Sequence, residues 1–436
     1  MTIACLDITD SNLQLWHLGK RLQSPGYALL ENGGYRFGAA ARASARLRPR
    51  DVATRYWWQL GTDPLQPALG PARHNADLVH AHLQALHRES GEPAEILLAV
   101  PGSMHQEQLA LLLGIIEQCP FTAVGLVNRS VALASLYQTD CPVFHLEIQL
   151  HQALLTELRA ERGEVALQQA IALPGCGLLQ LQERIVEAVA SAFIRQTRFD
   201  PRRRAETEQQ LYDALPAILQ QLQGHAESTI TVNSYQARIS RGDLQAASDA
   251  LYRSVHSSMS AQDSSTLLLL DPITALLPGL QARLGGALLD TQDLQAALSV
   301  HEPRIVQREQ ALIFISRLPQ LDQRTIPPAD AGSSTPAVAP LAGTAPTQAA
   351  GATPASAAPT HLLQDHQAKP LTSGSVVANG WSLVYTGGSW HLQASPGAAP
   401  LTRNGNACND GDTVASGDCL QLDDTLKLQL ITVNEA

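Results

Sequence analysis

Ile96-Leu97-Leu98-Ala99-Val100-Pro101 is the stretch on which the fold turns. An apolar run with no polar residue in it, closed by a proline, does not fit a surface strand, whose side chains alternate apolar and polar. It reads as a strand buried on both faces, as in a parallel sheet. Its flanks agree. Leu78–Arg88 before it has apolar residues at helical spacing, and Glu107–Glu117 after it reads as a second helix. Ala123–Val127 then reads as a strand and Ser130–Tyr137 as a helix. Upstream, Thr2–Ile8 and Leu13–Leu18 read as two strands joined by the polar turn Thr9-Asp10-Ser11-Asn12.

Further along, the pattern returns. Val143–Leu150, Gln152–Ala160 and Val165–Leu173 read as a three-stranded meander. Gln180–Thr197 and Arg204–Leu222 read as helices, the second interrupted by Pro216. Thr229–Val232 reads as an edge strand, Asp243–Ser254 as a helix, Leu267–Leu270 as a second buried strand and Ala275–Leu284 as the helix behind it. An antiparallel meander followed by helices and a parallel strand thus occurs in each half. The expected class is α/β.

With 436 residues the chain is long enough for two or three domains. Its hydrophobic share is 44% but only 4% is aromatic, so the cores rest on Leu, Ala, Val and Ile. A net charge of −10 argues against nucleic-acid and anionic-membrane partners. The basic run Arg202-Arg203-Arg204 and the segment Arg46 to Arg50 are short and read as solvated faces. No run reaches the roughly 18 apolar residues of a membrane span. The six cysteines form no C-x-x-C pair, so neither zinc nor dithiol chemistry is implied. Free thiols and an opening, Met1 to Ile8, without a basic and then apolar leader lead us to expect a cytoplasmic location. His80 with His82, and His361 with His366, match no metal-ligand spacing and read as surface or structural histidines.

Pro327 to Pro359 is almost entirely Ala, Pro, Thr, Ser and Gly, with Asp330 its one charged residue. Such a composition cannot bury enough apolar surface to offset ordering entropy, so it reads as a linker. Three regions follow: an α/β region over 1–322, a Pro/Ala-rich disordered linker over 323–370, and a small β domain over 371–436.

Ile96-Leu97-Leu98-Ala99-Val100-Pro101 also resembles the V-I-T-V-P-A strand of the ATPase domain of heat-shock protein 70 (DnaK-type) chaperones, in the actin-like superfamily. Leu126-Val127-Asn128-Arg129-Ser130-Val131-Ala132-Leu133-Ala134 is similar to that family's I-x-E-P-T-A-A-A-L-A, and Phe37-Gly38 with Ala41 to its V-G-x-x-A. The resemblance spans about residues 2–318. It implies a two-lobed actin-like fold around a nucleotide cleft.

The same resemblance implies that the chemistry of the cleft is lost. Where the family has D-L-G-T-T-N, this chain has Asp7-Ile8-Thr9-Asp10-Ser11-Asn12. Asp7, at the metal-side carboxylate position, and Asn12 remain, while Asp10 adds charge where a phosphate would lie. Where the family has D-L-G-G-G-T-F-D, the chain has His145-Leu146-Glu147-Ile148-Gln149-Leu150-His151-Gln152. Glycine amides are replaced there by Glu147 and Ile148, and the run reads as a strand continuing into its partner. Trp57 of Trp57-Trp58-Gln59-Leu60-Gly61 stands at the lysine position, and an indole cannot supply a cation. The adenosine turn has become Asp271-Pro272-Ile273-Thr274-Ala275-Leu276. Gly175 and Gly177 keep part of a G-G-E segment, with the acid displaced to Glu183. The Trp57-Trp58 pair reads either as core packing or as an apolar contact site facing the former cleft.

In the β region, Asn404-Gly405, Asp410-Gly411-Asp412 and Gly417-Asp418-Cys419-Leu420-Gln421-Leu422 resemble the second half of a forkhead-associated (FHA) domain. That family's phosphothreonine-gripping Arg and S-x-x-H have no counterpart here, so phosphopeptide binding is not expected. A plain small β-sandwich fits the same residues. The expectation is a non-enzymatic pseudo-ATPase that scaffolds or regulates through protein contacts, its protein partner unknown, with no cofactor. The alternative is a diverged chaperone or actin-like assembly protein that still holds Mg-ATP.

Overall fold

The computed structural model describes residues 3–259, 266–309, 311–321, 324, 359–364, 367–371, 375–378, 380–386, 389–395, 398, 400–403, 406–415, 418–421 and 427–431. The chain is mixed α/β with several sheets and divides into two compact units, Met1–Ser333 and Ser334–Ala436. Among the described residues no helix is long and apolar enough to cross a membrane.

The first unit is built on two six-stranded sheets. One runs Phe314–Ile315, Thr122–Asn128, Glu95–Val100, Ala4–Asp7, Leu13–His17, Lys20–Ser24. Its first four strands are parallel and its last three form an antiparallel meander. The other runs Ala287–Leu288, Leu267–Leu270, Val143–Ile148, Ala153–Glu161, Glu164–Leu173, Arg317–Pro319. Here too parallel strands adjoin the first strand of a meander. The duplication read in the sequence is therefore a duplication of strand order.

The decisive stretch behaves as its composition requires. Glu95–Val100 pairs in parallel on both edges, and Ile96 to Val100 are all at most 2% exposed. Leu97 and Ala99 enter one core cluster, Ile96, Leu98 and Val100 another. The cluster holding Leu97 and Ala99 takes residues from both sheets and from helices Arg129–Ala134 and Asp293–Ile305, which lie between them. That sandwich places the first turn of Arg129–Ala134 at the ends of strands from both sheets.

Several expectations need correction. Strand Val143–Ile148 does not run on into its partner; it ends in a tight turn closed by Gln149 N–H to Gln152 O at 2.9 Å. Pro216 does not interrupt its helix, which is continuous over Ala205–Gly224. A proline deprives the carbonyl four residues back of its helical partner. That carbonyl, of Tyr212, accepts instead from Arg42 Nη2 at 3.0 Å. Thr229–Val232 belongs to a hairpin, Glu227–Val232 with Tyr235–Ser240. Its turn residues Asn233 and Ser234 both have positive φ, the geometry of a tight hairpin turn without the usual glycine.

In the second unit, a six-stranded and a four-stranded antiparallel sheet share a core of Leu362, Trp381, Leu383, Trp390, Leu392, Leu401, Val414, Leu420, Leu428 and Leu430. The expected boundary at 371 is too late. His361–Gln364 and Gln367–Pro370 form a hairpin, and the first of these strands pairs with Lys427–Ile431. Buried Leu362 is the reason: one apolar residue facing the core ties in a segment that composition alone assigned to the linker. The linker itself, over residues 325–358, lies outside the described residues, as do Asn404-Gly405 and Ser416-Gly417.

Candidate functional site

Asn128 ends strand Thr122–Asn128 and caps the next helix, its Oδ1 accepting from Val131 N–H at 3.0 Å. The side chain of Arg129, the first helical residue, is 5% exposed and lies among three acids. Its Nε donates to Asp7 Oδ1 at 2.7 Å, its Nη1 to Glu147 Oε2 at 3.3 Å and its Nη2 to Asp271 Oδ1 at 3.1 Å. Asp7 ends the first strand of one sheet. Glu147 is near the end of a central strand of the other, and Asp271 directly follows Leu267–Leu270. His145 Nε2 lies 3.0 Å from Asp271 Oδ1 and Nδ1 lies 2.8 Å from Ser130 Oγ, which fits an Nε2–H donor and an acceptor for the serine hydroxyl.

Burial pushes the Asp7 carboxyl up to about 7, against the opposing pull of Arg129. Its Oδ2 has no partner among the described residues. Burial also acts on Asp271, but Arg129 and then His145 outweigh it and hold that group at about 2. Arg129 stays protonated: burial opposes its charge, and Asp271, Asp7 and Glu147 overcome it.

Beside this cluster the two β-turns bond to each other. The Leu150 amide donates to Asp10 Oδ1 at 2.7 Å, and Thr9 Oγ1 donates to Glu147 Oε1 at 3.2 Å. Gln149 Nε2 donates to Glu147 Oε1 at 2.7 Å. The opening of helix Leu178–Thr197 is engaged as well: the Leu178 and Leu179 amides bond to the carbonyls of Gln149 and Leu150 at 2.8 and 3.0 Å. Gly177 permits this approach, since a Cβ there would stand 2.3 Å from the His151 carbonyl carbon. Helix-terminal amides and turn amides are what a phosphate needs. Here they are matched by groups of the chain itself.

Of the residues expected at the site, the structure thus brings Asp7, Glu147 and Asp271 together around Arg129 and puts Gly177 against the second turn. Asn12 closes the first turn through its amide, bonded to Thr9 O at 3.0 Å. Gly175 has φ +69° and its carbonyl accepts from Arg184 Nη2. Trp57 does not meet the acids: it is buried beside the first turn, with its indole N–H 3.1 Å from His82 Nδ1. Tyr56 O–H also meets Nδ1, at 2.8 Å, so Nε2–H is left to donate to Ser24 Oγ at 2.8 Å, while Phe37 stacks on the ring. Burial holds His82 down at about 3, so it is neutral. Trp58 is half-exposed and stacked on His151.

Asp10 accepts from the Leu150 amide and Glu147 from the Arg129 guanidinium. Arg129, His145 and Ser130 were missed as site residues. The signal was present: Arg129 is the one charged residue of Leu126 to Ala134, between two apolar stretches, and has to be paired if it is buried. The guanidinium of Arg129, a cation tethered to the chain, sits among these carboxyls. Among the described residues no set of three His, Cys, Asp or Glu side chains is arranged to hold a metal ion. No family model matches the chain, and no curated protein sequence matches it.

Proposed function

We propose that the first unit is an actin-like domain of the heat-shock-70 type that has lost ATP chemistry, and that the protein is a cytoplasmic scaffold or regulator working through protein contacts. The repeated strand order of the two sheets supports the fold. One observation carries the functional reading: Arg129 engages all three carboxyls at the strand ends where a metal-nucleotide would be held. Phosphoryl transfer relies on positioned donors and cations that meet the transferring group. In this chain the donors meet Asp10, Gln149 and Leu150, and the cation meets the chain's own acids. The second unit is a small β module, FHA-like in its turn sequences, that contributes a contact surface without phosphothreonine.

Calorimetry with Mg-ATP at about 50 μM full-length protein should give no binding heat, and turnover should not exceed buffer. Trp57→Lys should not rescue either, because the amides and acids stay engaged. Saturable ATP binding that disappears in Asp7→Ala would overturn the proposal and favour a working nucleotide switch.

A further inference from the structure

A cavity of about 220 Å³ opens beside the first turn, and Asp10, Trp57, Trp58, Gln108 and Gln149 help to line it. It is smaller than a drug-sized pocket, which runs to roughly 300–1,000 Å³. Its chemistry is one-sided. Asp10 is its one acid, and no Lys or Arg lines it among the described residues. Three of the donors in its walls are already engaged. Gln108 Nε2 meets the carbonyls of Trp58 and Leu60, and Gln149 Nε2 meets Ser103 Oγ and Glu147. The Trp57 N–H meets His82. Asp10 is 5% exposed, and its Oδ2 has no hydrogen-bond partner among the described residues. Behind it, Asp7, Glu147 and Asp271 share a single guanidinium, so carboxyls outnumber cations across the group. Acceptors, excess negative charge and two indoles in one small cavity describe a site for a cation with N–H donors, stabilised by the carboxylate and by the aromatic faces.

We propose that this cavity binds a primary alkylammonium group, as carried by a free small amine or by a lysine side chain of a protein partner. The ammonium meets Asp10 and its alkyl stem packs on Trp57 and Trp58. An anion is rejected by the same charges. The proposal stands on the cavity alone and does not require the nucleotide reading above.

The test titrates the full-length protein at pH 8 with n-butylammonium chloride, n-butanol and inorganic phosphate, following the indole N–H resonances of Trp57 and Trp58 by NMR. Saturable shifts are expected with n-butylammonium only. Asp10→Asn should weaken binding about tenfold or more, since Asn still accepts from Leu150 but presents an amide donor to the ammonium. Trp58→Ala, at a half-exposed position, should weaken it several-fold, and unchanged thermal unfolding would verify both variants as folded. A short capped peptide with one central lysine, binding tighter than n-butylammonium, would assign the site to a protein lysine; equal affinity would assign it to free amines. Equal response to n-butanol, a response to phosphate, or full affinity in both variants would overturn the proposal.

Discussion

The Arg129 and His82 clusters are both buried, both join remote stretches of chain, and are built in opposite ways. Around His82 every group is neutral: Tyr56 and Trp57 share the Nδ1 lone pair, and Nε2 gives to Ser24. Around Arg129 one cation faces three acids, and Asp7 Oδ2 is left without a partner. A matched neutral network orders a core at small cost. An unbalanced charged one is a poor source of stability, since apolar packing of similar volume is often as good or better. The His82 cluster is therefore sufficiently explained by folding, and the Arg129 cluster is not. What the second achieves is to keep a cation fixed among carboxyls.

The comparison breaks most visibly at Arg129. Arg129→Met leaves three buried carboxyls without their cation, and loss of one partner of a buried ion pair costs about 3–5 kcal/mol. Urea unfolding should show a loss of that size. A loss below about 1 kcal/mol would mean that the cluster is hydrated and that its charges are not in tension.

His82→Phe should cost less, about 2–3 kcal/mol. Phenylalanine fills similar space and keeps the stacking on Phe37, but the Tyr56 hydroxyl, the Trp57 N–H and the Ser24 hydroxyl lose their partner. A neutral outcome would mean that the aromatic packing alone organises this corner.

The same contrast separates what was legible in the sequence from what was not. Ile96 to Val100 announces a strand buried on both faces, and both meanders announce themselves by turn residues between apolar runs, because those signals are local. The hairpin strand Tyr235–Ser240 was overlooked because its turn, Asn233-Ser234, lacks the glycine that usually marks positive φ. Pro216 misled because the group that answers its orphan carbonyl, on Arg42, is far away in sequence. At the site, Asp7, Glu147 and Asp271 could be selected one by one as strand-end acids. Their convergence on Arg129 could not, because it depends on how two sheets pack around one helix. Leu362 likewise gave too weak a pattern to rescue the start of the β unit from the composition of its neighbours.

The smallest effect on stability is also the most discriminating between the two clusters. Asp10→Asn keeps the bond from Leu150 and puts a neutral amide where the folded chain holds a protonated carboxyl, so stability near pH 4 should change by less than about 1 kcal/mol. Its pH dependence carries the information. Burial raises Asp10 to about 7, with the Leu150 amide pulling the other way. The ordinary value in an unfolded chain is about 4. Between these values the unfolded chain has lost its proton while the folded one retains it, so this group's contribution is full below pH 4 and declines as pH rises to about 7. His82 runs in the reverse sense. Its folded value is about 3 against an ordinary value of about 6.5, so its contribution is full above pH 6.5 and declines as pH falls towards 3. Measured across pH 4 to 6.5 by urea unfolding, the stability difference between wild type and Asp10→Asn should therefore fall with rising pH, and that between wild type and His82→Phe should rise, each by up to about 1.4 kcal/mol per unit. Slopes of the same sign would show that one of the two groups titrates in contact with water, and the contrast between a strained acidic turn and a settled neutral core would not hold.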